Sequence, residues 1–169
     1  MIRTDQDEEC EHTERMSEER ALAAVQAAGL EHRVIRHGRV RSLTEAAEAR
    51  GVCPAAVVKT LVVRRGDDDY LFVLVPGDRT ISWPKLRALL DVNRLSMPDA
   101  ATAKSATGYE RGTITPFGSL RAWPVVADER MLGSEITLGA GAHGVAVAMQ
   151  ADAALEALDA TVADVTEAE

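Results

Sequence analysis

Apolar and polar positions repeat along this chain with periods that change every ten residues or so, and each change marks an element. Leu22, Val25 and Ala28 recur at helical spacing between Ser17, an N-cap residue, and Gly29, a stop. Residues 33–37 alternate as a short strand that ends at the Gly38 turn. Ser42 and Glu45 have the spacing of a capping box ahead of Ala46, Ala47 and Ala49, with Gly51 as the stop. Pro54 suits the first turn of a brief helix, which feeds the most β-branched run of the chain: Val57, Val58, Lys59, Thr60, Leu61, Val62 and Val63. Such a run reads as a strand covered on both faces. The Lys59 ammonium is costly there unless it reaches a cleft or a partner. Strands over 57–64 and 70–75, joined by the polar turn 65–69, form an expected hairpin.

Beyond Gly77, Ser82 and Pro84 open a helix with Leu86, Leu89 and Leu90 on its buried face. A short strand is expected at 93–96 and a short helix at 98–104. Residues 107–118 hold three glycines and a proline, too many breakers for either regular element. Strands at 122–127 and 135–138 flank a turn at Asp128, and the glycine-rich loop 139–144 leads into a strand at 145–149. Asp152 is expected to cap a last helix ending at Leu158, and 162–165 to add an edge strand. The mixed order predicts one compact α+β domain, residues 17–169, with a curved and largely antiparallel central sheet flanked by short helices. Residues 1–16 are acidic and aperiodic, and are expected to be a disordered leader.

Charge changes this picture in one place. Residues 1–20 carry eight acidic and three basic side chains, so of the net charge of −8 only −3 falls on the rest of the chain. Within that rest, Arg33, His37 and Arg50, with the five arginines Arg36, Arg39, Arg41, Arg64 and Arg65, gather around the lysine run against only Glu45 and Glu48, a basic surface able to hold a phosphate backbone. The plainer reading of the same residues is a solvated arginine-rich face. Lysines number three, Lys59, Lys85 and Lys104, against sixteen arginines, which singles out the choice of a compact point donor at 59. Two cysteines make neither a disulfide framework nor a metal set, and the four histidines have no ligand spacing, so no cofactor is expected. The start of the chain lacks the order of a secretory signal and no apolar run is long enough to span a bilayer, so the expected location is cytoplasmic, with no membrane partner.

The candidate chemistry is sparse. Gly139, Gly141 and Gly144 match the dinucleotide string, but that fingerprint must open a helix, and 145–149 alternates like a strand. The loop is better read as a backbone turn that lets a group approach closely. His37 and His143 sit beside glycines and are candidate binding residues, although a turn histidine is more often plain surface. No nucleophile elbow, P-loop or zinc-protease motif occurs. Chemistry must then rest on backbone donors, a lysine and water. The 107–118 loop suits that, since its glycines let N–H groups converge on one oxygen, with hydroxyls from Thr113 and Thr115 nearby.

These residues resemble, in order, the YbaK/ProX family of aminoacyl-tRNA deacylases, relatives of the prolyl-tRNA synthetase editing domain. The resemblance lies in the Lys59 strand, the segment 71–78 ending in Pro76, Gly77 and Asp78, the Thr107, Gly108, Tyr109 triplet followed by Gly112, Pro116, Phe117 and Gly118, and the loop 139–144. It implies a central sheet partly closed into a barrel and hydrolysis of a mischarged aminoacyl-tRNA carrying a small amino acid, on tRNA-Pro or a similar tRNA. The implied catalytic set is Lys59 as anchor of the terminal nucleotide, with Gly112, Thr113, Thr115 and Pro116 holding the ester end and water or a ribose hydroxyl attacking. Thr107, Gly108, Tyr109, Gly139, Gly141, His37 and His143 would line the substrate site, and the five arginines would take the tRNA, with a synthetase as a further partner. Thr113 stands where the family commonly has a second glycine, His143 where it has a basic residue and Ala146 where some members have aspartate, which leaves amino-acid specificity open. A non-catalytic module that binds tRNA or a synthetase is the rival reading. The sharpest structural expectation is that Lys59 and the 112–116 backbone face one cleft.

Overall fold

A computed structural model describes residues 4–169. Its first helix, α1 (Asp5–Ala27), begins well before Ser17. Thr4 and Asp7 form a full capping box, and Asp5, Asp7 and Glu8 put negative charge on the positive end of the helix dipole. Most of the stretch expected to be a disordered leader is therefore the first half of α1, and residues 1–3 lie outside the described residues.

Next come β1 (Arg33–Arg36), α2 (Leu43–Arg50) and a 3₁₀ turn (Pro54–Ala56). Ser42 caps α2 by accepting from Glu45 N, and Gly51 ends it in the left-handed conformation. The Glu45 carboxylate accepts from Arg41 N rather than closing a capping box on Ser42. The lysine run is β2 (Val58–Gly66), paired antiparallel with β3 (Asp69–Pro76). A bulge between Arg64 and Gly66 tightens the expected five-residue turn to Asp67 and Asp68. The remaining elements are β4 (Arg79–Ile81), α3 (Trp83–Leu90), α4 (Ala100–Thr107), β5 (Val125–Asp128), β6 (Glu135–Gly139), β7 (Val145–Gln150), α5 (Ala151–Ala157), β8 (Thr161–Ala163) and β9 (Thr166–Ala168).

The strands form three sheets, ordered β1-β7-β6, β2-β3-β5-β8 and β4-β9. The second sheet is mixed, because β5 runs parallel to both β3 and β8. Among the described residues no ladder closes these sheets into a barrel; the β2 and β6 sheets touch through a single parallel bridge, Val57 to Thr137. Residues 93–96 form no strand, since only Ser96 bridges, to Arg64. Asp152 does not cap α5: Gln150 holds that position, and the Asp152 carboxylate accepts from Gly133 N instead. Leu86 is buried as expected, but Leu89 is exposed.

β3 explains the architecture. Tyr70, Phe72 and Leu74 enter a core shared with α1, α4, β6 and β7, while Leu71, Val73 and Val75 enter a second core under α3, with Ile81 and Val165. β2 follows the same alternation: Val58 and Val62 point into the first core, Leu61 and Val63 toward the second. Lys59 has the parity of Leu61 and Val63, so its side chain leaves the sheet on the face where β4 lies.

Candidate active site along the edge of β2

β2 is an edge strand. Arg64 exchanges backbone hydrogen bonds with Ser96 away from β3, at 2.7 and 3.1 Å. By the two-residue period, Val62, Thr60 and Val58 turn their backbone groups to that same open edge. A cavity of about 550 Å³ lies there. Val57 to Val62 form its floor, Met97, Pro98, Asp99, Ala100 and Ala103 one wall, and Arg50, Arg111, Gly112, Ile114 and Gly139 the other. The walls are mostly small and apolar, with cations at one side.

The 107–118 loop is built to present Gly112. Arg20 of α1 reaches across it, donating from Nε to Gly118 O at 2.7 Å and from Nη2 to Gly108 O at 3.1 Å. Its guanidinium also stacks 4.6 Å from the centre of the Tyr109 ring. Tyr109 is fully buried, donates to Phe117 O at 2.6 Å, and has its phenol pKa raised by that burial. The Thr107 hydroxyl donates to Ala103 O and accepts from Tyr109 N. Thr113 Oγ1 donates to Glu110 O, and Thr115 Oγ1 accepts from Phe117 N. Thr107, Tyr109, Thr113, Thr115 and Pro116 are therefore buried in the loop's framework, while Gly112 and Ile114 reach the cavity. Neither the Gly112 nor the Ile114 N–H donates to a protein acceptor among the described residues.

The two glycine loops meet. Gly141 N donates to Thr113 O at 3.0 Å, and Gly139 packs on the carbonyls of Thr113 and Ile114. At Gly141 a β-carbon would lie 2.6 Å from Ser17 O, at a φ of +85°, so only glycine lets α1 come so close. His143 Nε2 lies beside Gly112, and its Nδ1 contacts the Glu14 carboxylate of α1. His37 is more remote: its N donates to Gly144 O at 2.9 Å, tying β1 to the second loop, and its Nδ1 contacts Gly38 O. β7 follows Gly144 directly, as the alternation at 145–149 required.

Lys59 and Gly112 line the same cavity. The ammonium of Lys59, however, donates to Arg79 O at 2.5 Å, and the residue also borders a recess with Gly77 and Asp78. The arginines divide into separate groups. Arg36 pairs with Glu18 in a depression bordered by Glu11 and Glu14, where the acidic first helix offsets its charge. Arg39 and Arg41 are exposed between β1 and α2. Arg64 and Arg65 pair with Asp67 and Asp69 and line a distant groove with Arg87 and Arg94. Sequence reasoning missed Arg20, Arg87, Arg94 and Arg111 as contributors; it placed Arg50 in the basic cluster but gave it no role at the site, since a basic residue in the last turn of a helix is explained by the dipole alone.

A model of the aminoacyl-tRNA editing domain matches residues 37–157. The chain is 26% identical over 126 residues to the Enterococcus faecalis protein EbsC, named as a candidate Cys-tRNA(Pro)/Cys-tRNA(Cys) deacylase, covering 74% of this chain and 77% of that one. It is 34% identical over 104 residues to proline–tRNA ligase of Acidithiobacillus ferrooxidans, covering 61% of this chain but 18% of the ligase. A solved structure described as a candidate trans-editing enzyme for prolyl-tRNA synthetase superposes with a TM-score of 0.80 at 26% identity, over 89% of this chain and 97% of that one. Another, of a hypothetical protein, gives 0.81 at 27% identity, over 88% and 99%. With more than half of its length inside the family model, and with the lysine strand, the glycine loops and the cavity between them in place, this chain belongs to the aminoacyl-tRNA editing domain family.

Proposed function

We propose that the chain hydrolyses the ester linking a small amino acid to the terminal adenosine of a mischarged tRNA, acting apart from a synthetase. The observation that carries this reading is that Gly112 and Ile114, whose N–H groups have no acceptor among the described residues, both line the cavity. Donors fixed in position and aimed at a carbonyl oxygen stabilise the charge that develops on it during attack. An aminoacyl ester is already activated, so positioning water or the vicinal ribose hydroxyl against it supplies much of the remaining acceleration. For water, the new C–O bond forms as the bond to the ribose oxygen breaks, that oxygen takes the proton, and the free amino acid leaves. No cysteine or histidine lines the cavity among the described residues, which agrees with an attacking group brought by solvent or substrate.

Small residues on the walls, Ala100, Ala103, Gly112 and Gly139, favour alanine, serine or cysteine, and the likeness to EbsC and to prolyl editing proteins favours tRNA-Pro. Lys59 is the anchor of the nucleotide end in this reading, exchanging its contact with Arg79 O for a phosphate oxygen. Purified protein should deacylate at least one of alanyl-, seryl-, cysteinyl- and threonyl-tRNA. Lys59→Ala should abolish the release while circular dichroism stays unchanged. If all four tRNAs stay charged, the hydrolase reading falls.

A second reading has its own observation. Arg64, Arg65, Arg87 and Arg94 line a separate groove farther along the strand whose residues 57–62 floor the cavity. A module that only binds tRNA would show salt-dependent affinity without turnover.

A further inference from the structure

Arg50 is a cation placed at the cavity with no carboxylate in contact among the described residues; the Asp99 carboxylate, which also lines the cavity, accepts from Thr102 N. It ends α2 and lines the cavity next to Val57, half buried. A guanidinium carries five N–H donors. One of these is used: Nη1 donates to Thr137 Oγ1 at 3.0 Å, and Thr137, itself fully buried, is fixed in turn by a 3.4 Å contact with Ala56 O. Nε is buried with no partner in the protein, and no carboxylate pairs with this arginine among the described residues. A second orphan, Thr60 Oγ1, lies on the floor of the same cavity. Burial lowers the Arg50 pKa, as expected of a charge stripped of water and not repaid by an anion. Other partly buried arginines have their donors met, Arg65 by the Asp69 carboxylate and Arg20 by carbonyls, so the buried Nε without a partner sets Arg50 apart. The Lys59 ammonium donates to Arg79 O on the other face of β2 and reaches a phosphate only by exchanging that contact. Arg50, with Arg111, is a cation already at the cavity.

We propose that Arg50 is the oxyanion receptor of the cavity, its tethered guanidinium taking two oxygens of one anionic group of the bound molecule. This rests on the proposed function for the identity of that molecule, an aminoacyl-tRNA end, whose anionic group is either the phosphate of the terminal nucleotide, shared with Lys59, or, where an acidic side chain replaces the small one, its carboxylate. Planar bidentate recognition suits both. Thr137 is the positioning residue, since its hydroxyl fixes the plane of the guanidinium.

Calorimetric titration of the full chain with adenosine 5′-monophosphate and with inorganic phosphate separates the sources. If phosphate is the ligand, both probes bind, and Arg50→Gln weakens them roughly ten- to hundredfold, the range for a charged hydrogen-bonded contact. Arg50→Lys, which keeps the charge but not the fork, recovers part of that loss, and Thr137→Val loses less than Arg50→Gln. If a side-chain carboxylate is the ligand, the probes bind the variant and the native chain alike, and Arg50→Gln selectively slows release from aspartyl- or glutamyl-tRNA. Equal binding and equal rates on every tRNA in native and Arg50→Gln protein would overturn the proposal. Arg50-dependent binding of the nucleotide with no deacylation of any tRNA would leave the receptor standing and remove the hydrolase reading, so the two failures are distinct.

Discussion

At the scale of single residues, the site depends on groups that never touch a substrate. Tyr109 is the clearest case: a buried phenol whose hydroxyl donates to Phe117 O across the neck of the 107–118 loop, under the Arg20 guanidinium. Tyr109→Phe leaves that carbonyl unpaired, so stability in chemical denaturation should fall by ~1–3 kcal/mol. The same substitution should slow ester hydrolysis through loss of loop order. Gly144 is a sharper constraint, with φ at +75° and a hypothetical β-carbon 2.3 Å from His37 O. Gly144→Ala should cost more than the ~1–2 kcal/mol of a left-handed alanine, read as a lowered denaturation midpoint. The direction of the Lys59 ammonium could not be read from the sequence, and the reason is physical. In a strand buried on both faces every position is apolar, so the alternation that would reveal which face a residue occupies is hidden. Only the allocation of Val58 and Val62 to one core and Leu61 and Val63 to the other shows it.

At the scale of elements, local signals were legible at several breakers and tight turns and at some caps, though Ser17, expected to cap the first helix, lies inside α1. Ser42 and Gly51 bound α2, Asp67 and Asp68 turn the β2-β3 hairpin, and the glycines of 107–118 keep that segment irregular. What failed depended on partners far away in sequence. Residues 93–96 have strand-like composition but find only Arg64 to bridge, and Asp152 looks like a cap until Gly133 N claims its carboxylate. The β8-β9 junction is another long-range feature. Asp164 accepts from Arg130 and from Lys85, and these hydrogen bonds lower its carboxyl pKa to about 2. A carboxyl depressed in the folded state stabilises at pH above its unfolded value, about 4. That contribution fades as pH falls from about 4 through about 2. Thermal melts should therefore show native and Asp164→Asn proteins converging as pH drops through that window, and separating above it. Parallel curves throughout would remove Asp164 from the acid response.

At the scale of the whole molecule, two cores sharing β3 leave β2 as the free edge on which the cavity opens. α1, whose acidic first half reads from sequence as a tail, packs against the glycine loops through Arg20, Ser17 and Glu14, so it belongs to the scaffold of the site. Its charge also explains why the basic residues do not act as one patch: Arg36 is neutralised by Glu18, whereas the groove at the far end of β2 keeps Arg87 and Arg94. If RNA follows that groove into the cavity, replacing both Arg87 and Arg94 by Gln should reduce the slope of log affinity against log salt by about 0.7 for each phosphate of a single strand that the variant no longer neutralises. An unchanged slope would move the RNA to another face.

The central claim is that aminoacyl ester is cleaved inside the cavity on the β2 edge. Ala100, exposed at the start of α4 and part of the cavity wall, offers a way to block the cavity without disturbing either core. The initial rate of amino-acid release from mischarged tRNA, compared between the native chain and Ala100→Trp, is the most direct measurement. The account predicts measurable release by the native chain and a rate lower by roughly tenfold or more in the variant, since displacement of the ester from its donors forfeits most of their effect. Equal rates in the two proteins, or no release by the native chain from any tRNA of the panel, would contradict it.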